Sequence, residues 1–144
     1  MKNNLNICKH YGFTLIELML VIALIAILIA ASLPTYQKYT KKAHYVEIIN
    51  ATAPLKLDVA ECYLLQGDLT KCQAGINGIS KPIIGKSKSL IKSITVAAQG
   101  VIIVTPNNIY GIKETEDYIL TPKPENNGLS WQASGGAIKA GYTY

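Results

Sequence analysis

The stretch Lys9–Pro34, KHYGFTLIELMLVIALIAILIAASLP, decides how the rest of the chain is read. Phe13, the only Phe in the protein, stands where a short Lys-containing leader meets a long apolar run. From Phe13 to Leu33 there are twenty-one residues, and Glu17 is their only ionisable side chain. At about 1.5 Å per residue a helix of that length spans roughly 30 Å, the thickness of a bilayer core. A carboxylate at the centre of such a helix costs about 2.5–3.5 kcal/mol or more, so an intramembrane acid is expected to have both a role and a cationic partner.

Three readings of the run compete on residue chemistry alone. A secretory signal peptide needs a basic start, an apolar middle and a small-residue cleavage site. Lys2 and Lys9 supply the first and Ala30-Ala31-Ser32 the last, but the run is long for this purpose and contains Glu17. A plain membrane anchor fits the length and leaves Glu17 unexplained. The third reading gives the acid a function. The flanking charges do not set an orientation, because Lys38, Lys41 and Lys42 on the far side balance Lys2 and Lys9.

Working outward, the helical period continues past Pro34. Tyr36, Tyr39, Ala43, Val46, Ile49, Ala53, Leu57, Ala60 and Leu64 step by three or four, which predicts an amphipathic helix packed along that face. Pro34 and Pro54 are expected to kink this helix without ending it, and Gly67 to end it. The segment 67–89 is rich in Gly, Asn, Ser and Pro and reads as loop. Leu90–Val96, the turn at Gln99-Gly100 and Val101–Val104 form a hairpin signal with β-branched flanks. Tyr118–Thr121 and Leu129–Ala133 add two more strands, joined by a turn-rich Pro122–Gly128. The result is an α+β protein in which a long N-terminal helix, hydrophobic and then amphipathic, packs against a small antiparallel β-sheet.

Composition narrows the function classes. The net charge of +5 comes from fourteen Lys and no Arg against nine acids. Lysine is a solvated point charge without the planar fork that reads phosphates and guanines, so the balance suggests attraction to polyanions without base-specific readout. No His/Cys cluster has metal-ligand spacing, no Gly-rich phosphate loop follows a strand, and no Ser/His/Asp set stands out. His10 and His44 read as surface residues. Neither an enzyme nor a cofactor or metal site is expected.

GFTLIEL at Gly12–Leu18, followed by about fifteen apolar residues and a Pro, resembles the prepilin signature of type IV pilins. The resemblance implies a leader at 1–12 on the cytoplasmic side, a transmembrane and filament-core helix at 13–34, an amphipathic helical half at 35–66 and a globular head at 67–144. It implies cleavage between Gly12 and Phe13 by a membrane peptidase that also methylates the new amine of Phe13. It further implies that Glu17 pairs with the N-terminal amine of a neighbouring subunit. Two buried opposite charges would then also set register, since a slip leaves both unpaired.

Cleavage would remove Cys8 and leave Cys62 and Cys72, an even count suited to an oxidising compartment. The fragment PLKLDVAECYLLQGDLTKCQAGINGI resembles pilins of gram-negative bacteria with an early disulfide, which implies a Cys62–Cys72 bridge; two free thiols or a metal pair is the alternative. Many pilins instead bridge their C-terminal segment from a Cys two residues after a Trp. Here Gln132 and Ala133 follow Trp131, so that bridge is not expected.

The family resemblance implies a retractable surface filament serving adhesion, twitching motility or DNA uptake. The implied partners are other copies of the chain, the prepilin peptidase, an assembly platform, minor pilins and the inner membrane. A minor pilin that binds DNA and a type II secretion pseudopilin are the alternatives. The acid-free stretch between Asp68 and Glu114 bears on the choice. Its Lys81, Lys86, Lys88 and Lys92 form either a surface for DNA phosphates or a solvated face that discourages edge pairing.

Overall fold

The computed structural model describes residues 12–126 and 128–143. The chain divides into two compact units, Met1–Gln37 and Lys38–Tyr144. Helix α1 covers Leu15–Ala51 and α2 covers Ala53–Gln66, separated by one turn residue, Thr52. The head adds five strands, β1 (Ile83–Ile84), β2 (Ile91–Val96), β3 (Ile102–Pro106), β4 (Tyr118–Glu125) and β5 (Gly128–Ser134), and a short helix α3 (Gly136–Lys139). All strands pair antiparallel in the order β1-β2-β3-β4-β5. A long helix with an antiparallel sheet is the α+β architecture expected.

Thr52 marks where Pro54 acts. Proline has no N–H to offer the carbonyl of Asn50, so the helical ladder loses a rung there. Thr52 keeps right-handed helical dihedrals, and its buried hydroxyl donates to the Ile49 carbonyl at 2.7 Å. The helix is therefore interrupted just before Pro54 and resumes at once, as the uninterrupted period suggested. It ends at Gly67, whose φ of 66° is the left-handed conformation glycine adopts without strain, with its N–H bonded to the Tyr63 carbonyl at 2.8 Å.

The buried face of the helix is not the expected one. Tyr45, Ile48, Thr52, Leu55, Val59 and Cys62 step by three and four and are buried, while Tyr36, Tyr39, Val46, Leu57 and Leu64 are exposed. The helix carries two apolar stripes of the same period. The sheet selects the one whose Tyr45 hydroxyl reaches the Glu116 carbonyl and whose Cys62 reaches Cys72. Opposite it, Ile94 and Val96 of β2, Ile102 and Val104 of β3 and Tyr118 and Leu120 of β4 are buried. Their register pairs, Ile94 with Val104, Val96 with Ile102 and Ile102 with Leu120, place them on one sheet face.

Two further readings change. Pro122–Glu125 is strand, not turn: β4 pairs with β5 as far as Glu125 opposite Gly128. Beyond Leu120, β3 no longer pairs with β4, so Pro122 and Pro124 lie along an unpaired edge where a missing donor breaks nothing. The segment read as loop before Leu90 contains β1, which pairs Ile83 with Ile94 and Ile84 with Ser93 and forms one edge of the sheet.

Candidate processing and assembly site

The N-terminal site is built from the first turn of α1. Gly12, Phe13 and Thr14 precede the helix and are exposed. Thr14 caps it, its hydroxyl oxygen accepting the Glu17 N–H at 3.3 Å and its carbonyl accepting the Leu18 N–H at 3.2 Å. Thr14-Leu15-Ile16-Glu17 has the residue types of a capping box, so the helix start was legible in the sequence, although the reading above did not use it. A Cβ added at Gly12 would meet nothing within 4 Å. The Gly12–Phe13 peptide bond thus stands in exposed backbone that precedes the helix.

Glu17 lies in the first turn, where a carboxylate is favoured by the unpaired N–H groups and positive end of the helix. Among the described residues its carboxylate forms no ion pair, and no charge occurs from Leu18 to Leu33. A helical window in this segment has mean hydropathy 2.8 with none of it buried within the chain. By length and composition the helix can cross a membrane. Residues 1–11 of the leader 1–12, with Lys2, Cys8, Lys9 and His10, lie outside the described residues.

The cysteines form the bridge that the resemblance implied, Cys62 to Cys72, with Cα atoms 5.8 Å apart and both side chains buried. The intervening loop is tied by local bonds. The Asp68 carboxylate accepts from the Thr70 hydroxyl at 2.7 Å and from its N–H at 2.9 Å, which holds that carboxyl below the usual carboxylate range. Beyond the bridge, Asp58 of α2 accepts from the Ser80 hydroxyl at 3.0 Å.

The four lysines do not act as one set. Lys81, Lys86 and Lys88 are exposed, and among the described residues none is in an ion pair. The register slips between Ile91 and Ser93, and at this bulge Lys92 meets Glu114 with an N–O distance of 2.6 Å. Glu114, the acid that ends the acid-free stretch in sequence, is therefore brought back onto it. Lys86 and Lys88 sit in the β1–β2 turn, which is fixed by the Gly85 N–H to the Lys92 carbonyl and by Asn107 Nδ2 to the Ser89 carbonyl, at 2.9 and 2.8 Å. Gly85 is required here, because a Cβ would fall 1.9 Å from the Ile91 carbonyl oxygen. His44 stacks on Tyr110 with ring centroids 4.2 Å apart and is half-buried on the head.

An apolar helix with a glycine–phenylalanine junction, a lone acid in its first turn and a disulfide-bridged α+β head together define a class of filament subunit. Residues 7–33 match a family described as the prokaryotic N-terminal methylation motif. The chain is 36% identical over 124 residues to the prepilin peptidase-dependent protein D of Escherichia coli K12, covering 85% of this chain and 80% of that one. It is 37% identical over 122 residues to a type IV major pilin protein PilE1 of Neisseria gonorrhoeae, covering 83% and 67%. It is 43% identical over 79 residues to the type IV pilus subunit protein TapA of Aeromonas hydrophila, covering 55% of each. The solution structure of the major type IV pilin PpdD from enterohemorrhagic E. coli superposes with a TM-score of 0.51 at 26% identity, covering 67% of this chain and 69% of that one. The chain belongs to the type IV pilin family and is a structural subunit of the pilus.

Proposed function

We propose that the chain is the repeating subunit of a retractable surface pilus, made as an inner-membrane prepilin and cut between Gly12 and Phe13. The peptidase then methylates the Phe13 amine, and an ATP-driven platform in the inner membrane adds the mature subunit to the filament base. The observation that carries the reading is Glu17, an acid at the capped first turn of an otherwise uncharged membrane-length helix. In the lipid this carboxylate is uncompensated. In the filament the amine of a neighbour's Phe13 supplies the cation, so assembly is favoured over remaining in the bilayer and register is set by the charge pair.

The test is replacement of Glu17 in cells that make filaments. Glu17→Val is expected to leave the subunit abundant in the membrane and to remove sheared surface filaments. Filaments from the Val variant at the yield of the unaltered chain would overturn the pairing.

A further inference from the structure

Two of the exposed apolar patches on the head differ in charge. On the outer face of α2, Leu57, Leu64 and Leu65 are 72%, 77% and 73% exposed. Glu61 lies among them, one turn after Leu57 and one before Leu64 and Leu65. Beside Leu65 a groove of about 360 Å³ is lined by Asp58, Glu61, Gln66, Asn77 and Gly78, with two carboxylates in its wall. At the sheet edge, Ile83 and Ile84 of β1 are 54% and 82% exposed. Their neighbours in the chain are Lys81, Lys86 and Lys88, which among the described residues are in no ion pair.

We propose that these are the two halves of one subunit contact: the α2 outer face of one copy seats on the β1 edge of the next copy. Leu57, Leu64 and Leu65 cover Ile83 and Ile84, and Lys86 and Lys88 on the tied β1–β2 turn meet Glu61 and the acidic groove. The inference rests on the filament reading above and names the head surfaces that the filament uses.

Three observations favour a second copy as the occupant. The patches are complementary, acidic around leucine on α2 and basic around isoleucine on β1, so each supplies what the other lacks. They are also different surfaces of one molecule. A contact between unlike patches need not close, and it propagates as a helical filament, whereas a self-complementary patch stops at a dimer. Finally, β1 is an unpaired edge with apolar side chains, a feature that folded proteins cover or guard with lysine. Duplex DNA on the same lysines would gain nothing from Ile83 and Ile84, and the pairing of Lys92 with Glu114 removes one of the four cations that it would use.

The experiment is a charge swap in the full chain, expressed in cells that assemble filaments. Glu61→Lys alone, and Lys86→Glu with Lys88→Glu, should each lower sheared filament yield about tenfold with the membrane pool unchanged, and the combination should restore it to within about twofold. In filaments carrying Leu65→Cys and Ile84→Cys, a short bis-maleimide should give a ladder of covalent oligomers under denaturing conditions. Failure of the swap to restore yield, together with absence of the ladder, overturns the contact. Lysine-reversed variants that assemble normally but lose retention of duplex DNA overturn it too, and assign the lysines to a polyanion surface. If the unaltered chain forms no homopolymer, the filament reading itself fails.

Discussion

Tyr142 stacks on Tyr45 with ring centroids 5.4 Å apart, so the C-terminal segment is fastened to α1 by an aromatic pair. Lys41 Nζ donates to the Tyr142 hydroxyl at 3.2 Å and lies 5.3 Å from its ring centroid. The Tyr142 hydroxyl in turn donates to Glu116 Oε1 at 3.4 Å, and the Tyr45 hydroxyl donates to the Glu116 carbonyl. This cluster ties the tail, the loop before β4 and the helix to one another.

Truncation of Tyr142 tests that role. Tyr142→Ala removes a stacked pair and two hydrogen bonds and is expected to cost about 1–3 kcal/mol. Tyr142→Phe keeps the stack and should cost about 0.5–1 kcal/mol. Thermal unfolding of the full chain in detergent, followed by near-ultraviolet circular dichroism, measures both, and equal losses would show that the stack contributes nothing.

The same cluster sets an alkaline limit. The Tyr45 hydroxyl is pushed above its ordinary value of 10.0, first by burial and then by Glu116, Tyr142 and Asp117 nearby. The folded head therefore keeps a proton that the unfolded chain releases. This contribution is complete below the ordinary value and is lost as pH rises above about 10. Tyr45→Phe should cost about 1 kcal/mol at neutral pH and give a shallower alkaline decline. Some decline should remain, because burial also raises Tyr118. Unfolding midpoints measured across the alkaline range decide the point, and an unchanged decline in the Phe variant would remove Tyr45 from the account.

The disulfide stabilises the head by restricting the unfolded chain. Cys62 and Cys72 are ten residues apart, and a loop of that size corresponds to about 2–3 kcal/mol. Cys72→Ser should lower subunit abundance in the envelope while leaving membrane insertion of α1 intact. Peptide mapping without reduction should show the two cysteines joined in native filaments, and alkylation of both there would contradict the bridge.

Processing is read directly by mass. Subunits from assembled filaments should begin with N-methylated Phe13 and lack Cys8. A mature chain beginning near Ser32 would instead make the leader and apolar run an ordinary signal peptide.

The sequence by itself determined what depends on neighbours along the chain. The uncharged run after Glu17, the Gly12–Phe13 junction, the helix stop at Gly67 and the β2–β3 hairpin follow from residue type and spacing within a few positions. The tertiary structure decided what depends on partners far away. Two stripes of equal period run along α1 and α2, and periodicity cannot rank them; the buried one is chosen by an acceptor at Glu116, seventy-one residues beyond Tyr45. Pro122 and Pro124 read as turn because their strand is permitted only where β3 stops pairing. Lys92 read as one of four free cations because its partner Glu114 lies twenty-two residues on, across a bulge. Helical period is set locally by 3.6 residues per turn, whereas burial and charge pairing are settled by which surfaces the folded head brings together.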